Sequence, residues 1–131
     1  MPTDKEMGMA LAGTEWRIAE MHGLAVSSER DRCPPTLTFD KDGSFGGTGI
    51  VNDYGSRYSV VDGLVHPRGI AQNLAAAVDE GVNRRERALF AVVSRPFALR
   101  PTAHGADLVD AKGQTRLRLR RYRGDRCAQG Q

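Results

Sequence analysis

Short apolar stretches alternate with turn-forming residues along most of the chain, and the alternation has the two-residue period of half-buried strands. Thr14 to Met21 carries Trp16, Ile18 and Met21 among polar neighbours, which predicts a first strand with Trp16 as a core anchor. Thr36-Leu37-Thr38-Phe39-Asp40 alternates again, Asp40-Lys41-Asp42-Gly43 supplies turn chemistry, and Ser44-Phe45-Gly46 restarts the chain, so a hairpin is expected here. A second hairpin joins Tyr58-Ser59-Val60-Val61 to Leu64-Val65-His66 through Asp62-Gly63, a pair suited to positive φ. Three more strands are predicted near 97–100, 106–109 and 115–120, joined by turns at His104-Gly105 and Lys112-Gly113.

Only one segment has clear helical spacing. From about residue 83 to 93, Asn83 is placed to cap the N-terminus, Ala88, Leu89, Val92 and Val93 form an apolar stripe, and Pro96 ends the run. Ala71 to Val78 reads as a turn or short helical piece, and Gly23 to Pro35 as a long loop stiffened by Pro34 and Pro35. Residues 1–11 read as a mobile lead, and 122–131 as a frayed tail. The fold class is therefore mainly β (α+β): a curved antiparallel sheet or incomplete β-barrel with one covering helix at about 83–93. Trp16, Phe39, Phe45, Leu89 and Phe90 are its expected core.

Composition agrees with a single ordered domain that folds without staples, since 131 residues with 40% hydrophobic and 27% charged positions suffice for one core. Fifteen Gly and six Pro favour many turns over long helices. The net charge of +3 is local, because Arg116, Arg118, Arg120, Arg121, Arg123 and Arg126 crowd one end. Those arginines, 116 to 123 in particular, are candidates for contact with an anionic surface or nucleic acid. On the predicted last strand, however, Leu117 and Leu119 alternate with Arg116, Arg118 and Arg120, which is also how a half-buried strand with a solvated face looks.

Cys33 and Cys127 lack metal-type spacing, and whether they pair is open. The first residues lack the basic and apolar regions of an export signal, so the chain as written is expected in the cytoplasm; an upstream signal, if removed, would send it to the envelope or periplasm. No apolar run has the roughly 20 residues a membrane span needs.

Candidate chemistry is sparse. No Ser, Thr or Cys stands in a recognisable arrangement with a base and an orienting acid. His22, His66 and His104 fall in turns or at strand ends without metal-site spacing. Gly46-Gly47-Thr48-Gly49 lacks the Lys-Ser/Thr of a phosphate loop and reads as a bend beside a strand. Asn52, Asp53, Tyr54 and Tyr58 are the densest polar and aromatic group and the candidate binding surface. Asp79, Glu80 and Glu86 with Arg84, Arg85 and Arg87 read as a solvated helix face. No catalytic, metal or cofactor residue is assigned, and the chain is expected to be no enzyme.

Several of these segments together resemble a known family. Leu11-Ala12-Gly13-Thr14-Glu15-Trp16 is similar to the opening "L-x-G-T-x-W" of META (HslJ-like) domains, and Pro35-Thr36-Leu37-Thr38-Phe39 with Gly43 to their "P-x-L-x-F…G". Gly46 to Tyr58 resembles the "G-x-x-G-C-N-x-[FY]-x-G-x-Y" segment through Asn52, Tyr54 and Tyr58. Glu86-x-x-Leu89-Phe90 resembles the "E-x-x-F/L" helix, and Leu108…Gly113…Leu117-x-Leu119 the terminal strands. The resemblance covers residues 11–121, leaving 1–10 as lead and 122–131 as basic tail. Two cysteines common in the family are replaced here by Val51 and Ala76, which removes any role they carry.

What the resemblance implies is a stress- or envelope-associated binding or scaffold module, as members are associated with heat shock, antibiotic resistance and virulence. A fold does not name a substrate. One alternative is a carrier holding a small apolar ligand in the half-barrel interior. Another is anionic-surface or nucleic-acid contact through the Arg cluster, ranked last because Tyr122 is the one aromatic stacking partner nearby. A partner protein or small apolar ligand, and a monomeric state, are expected.

Overall fold

The computed structural model describes residues 3–22, 24–25, 35–49, 52–72 and 80–122. In chain order the elements are α1 (Asp4–Leu11), β1 (Glu15–Met21), β2 (Leu24–Ala25), β3 (Thr36–Phe39), β4 (Ser44–Thr48), β5 (Asp53–Val61), β6 (Leu64–Gln72), α2 (Glu80–Val93), β7 (Phe97–Pro101), β8 (Gly105–Asp110) and β9 (Thr115–Arg121). All strand pairs are antiparallel. The sheet runs β2-β1-β3-β4-β5-β6-β7-β8-β9 and is joined again by β1–β9 pairing, so the strands other than β2 form a closed ring of eight.

That ring corrects the expectation of a curved sheet or incomplete barrel. β9 meets β1 along Trp16↔Arg121, Arg17↔Arg120, Ile18↔Leu119, Glu20↔Arg118 and Met21↔Leu117. The register shifts between Ile18 and Glu20, which explains why the inward residues of β1 are Trp16, Ile18 and then Met21. Closure removes the open edges that a curved sheet would leave.

Both expected hairpins form. Asp62 and Gly63 have φ of 54° and 77°, the pair of positive values that matches a two-residue turn to strand twist. At the β3–β4 turn, Asp42 accepts from the Ser44 amide at 3.1 Å and the Ser44 hydroxyl at 2.6 Å. These two contacts lead in holding the Asp42 carboxyl below its ordinary range.

Among the described residues, aromatic and aliphatic side chains pack the interior. Phe39, Phe45 and Phe97 are fully buried, with ring centroids 5.7 to 6.3 Å apart, and Tyr58 packs edge-on against Phe39 at 5.6 Å. Leu89 and Val93 of α2 join the same core, Phe90 packs against it, and Ile18, Leu37, Leu108, Leu117 and Leu119 complete it. A ligand held inside the barrel, as the carrier alternative required, would have to displace these side chains.

Two helical boundaries differ from expectation. Residues 4–11, read as a mobile lead, form α1. Thr3 caps it by accepting from the Glu6 amide, and Glu6 reciprocally accepts from the Thr3 amide at 2.8 Å. The covering helix begins at Glu80 instead of Asn83, which lies inside it. Ala71 and Gln72 belong to β6, and Leu24–Ala25 of the expected loop form β2. The rest of the alanine-rich stretch, the Pro34 position, both cysteines and the tail beyond Tyr122 lie outside the described residues.

Candidate functional site

The expected binding surface around Asn52, Asp53, Tyr54 and Tyr58 is turned mostly inward. Asn52, Tyr54 and Ser56 are buried at alternate positions, Tyr58 packs on Phe39 and Phe45, and only Asp53 is exposed. Tyr54 donates its hydroxyl to the Thr36 carbonyl at 2.6 Å, and the Asn52 amide donates to Glu86 Oε2 at 2.7 Å. Burial, reinforced by the Glu86 charge, pushes the Tyr54 hydroxyl far above its ordinary range. Glu86, read from sequence as solvated, is 6% exposed and serves as the polar bolt between α2 and the start of β5. Gly49 makes room for it, since a Cβ there would stand 2.5 Å from Glu86 Oε1. This cluster ties β5 to β3 and α2.

The arginines of β9 are divided by their neighbours. Arg116 donates from Nε to Asp110 at 2.9 Å and from Nη2 to Gln114. Arg118 lies 3.8 Å from Asp107 and 3.9 Å from Glu20, while Arg100 lies 3.6 Å from Asp107. Basic and acidic side chains thus alternate across β7, β8, β9 and β1, which lowers the positive potential expected of this strand. Arg120 is exposed opposite Arg17, and Arg123 lies outside the described residues. Asp110 also accepts from the Lys112 and Gln114 amides at 2.9 Å; the Gln114 amide, with help from Arg116, holds its carboxyl below the usual range.

Arg121 has a different setting. It sits opposite Trp16 in the closing ladder, with its guanidinium carbon 4.5 Å from the Trp16 ring centroid. No carboxylate among the described residues pairs with it. Trp16 itself is 6% exposed, and its indole nitrogen donates to Thr14 Oγ1 at 3.0 Å. The Thr14 hydroxyl in turn donates to the Leu11 carbonyl at 2.7 Å, so the indole, β1 and the last turn of α1 are fixed together.

Here lies a cleft of about 650 Å³, walled by one face of α1 (Glu6, Met7, Ala10, Leu11), by Thr14 and Trp16, by the β7–β8 connection from Leu99 to Ala106, and by Arg121. Its volume falls within the range of small-ligand sites, and its walls are mostly apolar with a few polar groups at the rim. A second cleft, of about 270 Å³ between α2 and the β8–β9 turn, is lined by His22, Arg95, Asp110 and Arg116 among others.

The sequence marks Trp16 as core and Arg121 as one of a charged series, but no local spacing joins them to His104 or to residues 1–11. The Thr3-x-x-Glu6 box was the available signal for α1. Glu86 also had a signal: it stands three residues before Leu89 and seven before Val93, on the apolar stripe itself.

A family model described as the META domain matches residues 9–126. No curated protein matches the chain. One solved structure, determined by NMR, superposes with a TM-score of 0.68 at 18% identity, over 92% of this chain and 95% of the other. Another NMR structure, of a protein from Burkholderia xenovorans, gives 0.67 at 22% identity, over 93% and 90%. At such identities the likeness concerns the fold.

Proposed function

This chain belongs to the META domain family, and from that premise we propose that it is a non-enzymatic binding module, of the stress- or envelope-associated kind the family resemblance implies, with its ligand seated at the barrel mouth. The observation that carries this reading is the contrast between a barrel axis filled by Phe39, Phe45 and Phe97 and a 650 Å³ cleft between α1 and the Trp16 end of the strands. Ligand sites favour such concave, mainly apolar places with a few polar groups.

The polar groups that the fold gathers elsewhere hold structure together. Asp110 fastens its own turn, Glu86 fastens α2 to Asn52, and Asp4 accepts from the Asp62 and Gly63 amides. That use supports a binding role over a catalytic one.

Ala10→Phe narrows the cleft from the exposed side of α1 without entering the barrel core. Calorimetric titration with small amphiphiles should show at least about a fivefold loss of affinity in this variant, with little change in Tm. Binding that survives Ala10→Phe but disappears in Phe45→Leu would place the ligand in the barrel instead. A turnover abolished by one substitution would reject the non-enzymatic reading.

A further inference from the structure

We infer that the mouth cleft selects an amphipathic monocarboxylate, an apolar body carrying one carboxylate, and that Arg121 is the group that recognises the acid. This rests on the reading of the mouth as the ligand site and adds the ligand's chemical class. Three observations carry it. The walls contributed by Met7, Leu11, Trp16 and Leu99 suit an aliphatic or aromatic body. Arg121 lines the same cleft, is exposed, and has no carboxylate partner among the described residues, unlike Arg116 and Arg118 on the same strand. Its guanidinium is held over the Trp16 ring, and Trp16 is pinned through Thr14 to α1, so the cation is positioned before a ligand arrives.

The other charge at the rim does not cancel this one. Glu6 is exposed and its Oε1 accepts from the Thr3 amide, so its charge is directed to the N-terminus of its own helix and screened by water. A planar guanidinium binds a carboxylate through two parallel N–H···O contacts, whereas an alcohol of the same length offers it one neutral oxygen. The cleft should therefore separate acids from alcohols.

Octanoate and 1-octanol, which share the same tail, provide the test. Binding to the full chain is followed by calorimetry and by the fluorescence of Trp16, the chain's one tryptophan. Octanoate should bind about tenfold or more tighter than octanol, and Arg121→Gln should reduce octanoate affinity by roughly ten- to a hundredfold while octanol, which offers the guanidinium one neutral oxygen, loses no more than about threefold. Arg121→Lys should recover part of the loss, and salt should weaken octanoate alone. Retained octanol binding, together with a Tm near that of the wild type, shows at the same time that the variant is folded. If octanol binds as tightly as octanoate, or if Arg121→Gln leaves octanoate affinity intact, the ligand class is wrong although the mouth remains a binding site. If neither compound binds, the mouth reading fails and the class falls with it.

Discussion

Tyr54 and Glu86 show how much of this fold depends on a few buried polar atoms. The Tyr54 hydroxyl satisfies a Thr36 carbonyl that Gly47 also approaches closely, so its removal leaves a part-buried acceptor without that partner. Tyr54→Phe should cost about 1–2 kcal/mol in urea unfolding. The sign of its pH dependence follows from the raised folded-state value: the hydroxyl stays neutral in the native protein while tyrosines of the unfolded chain ionise near about pH 10. Stability from this group is complete below that pH and falls as pH rises further, and Tyr54→Phe should flatten the decline above about pH 10. An equally steep decline in the variant would assign it to other groups. Glu86→Ala should cost about 1–3 kcal/mol, because the buried Asn52 amide loses a charged acceptor. A Tm equal to wild type would contradict the bolt. The sequence marked Asn52 and Tyr54 as notable, but the Asn52-x-Tyr54-x-Ser56 alternation needed to be read as an inward face, and charge alone hid Glu86.

At the scale of elements, strands announced themselves through two-residue alternation and positive-φ turns, which is why the hairpins at 36–46 and 58–66 were legible, though not the full length of β5 and β6. The N-terminal helix was not, because eight residues with a weak apolar stripe are marginal in isolation and depend on tertiary contacts. Those contacts are specific: Asp4 accepts from the Asp62 amide at 2.9 Å and from the Gly63 amide at 2.8 Å, while Leu11 is buried beneath the helix's other end. A hairpin turn far along the chain thereby holds the lead in place. Asp4→Ala should lower stability by about 1 kcal/mol and speed hydrogen exchange at Asp62, Gly63 and the amides of α1 together. Faster exchange at the turn with α1 unaffected would show that the two are not coupled through Asp4.

For the molecule as a whole, the decisive feature is the β1–β9 seam, and no local pattern encodes it. Ile18 and Leu119 each read correctly as inward, yet their pairing spans nearly the entire chain and depends on the inward faces of all the intervening strands. Once the ring closes, three phenylalanines pack together inside it, and among the described residues a space of ligand size lies at the end bounded by α1, Trp16 and Arg121. The same closure sets Arg100, Asp107, Arg118 and Glu20 side by side on neighbouring strands, so the basic series of β9 is compensated at Arg116 and Arg118. The proposed binding role rests on where closure leaves room and on Arg121, which lines that room without a carboxylate partner among the described residues.

The most direct test is chemical-shift mapping by NMR during titration with octanoate. The largest shifts should fall on Met7, Leu11, the Trp16 indole N–H, His104 and Arg121, with the ring protons of Phe39, Phe45 and Phe97 unmoved. Shifts concentrated on those three rings would contradict the mouth site, by showing that the barrel opens to receive its ligand.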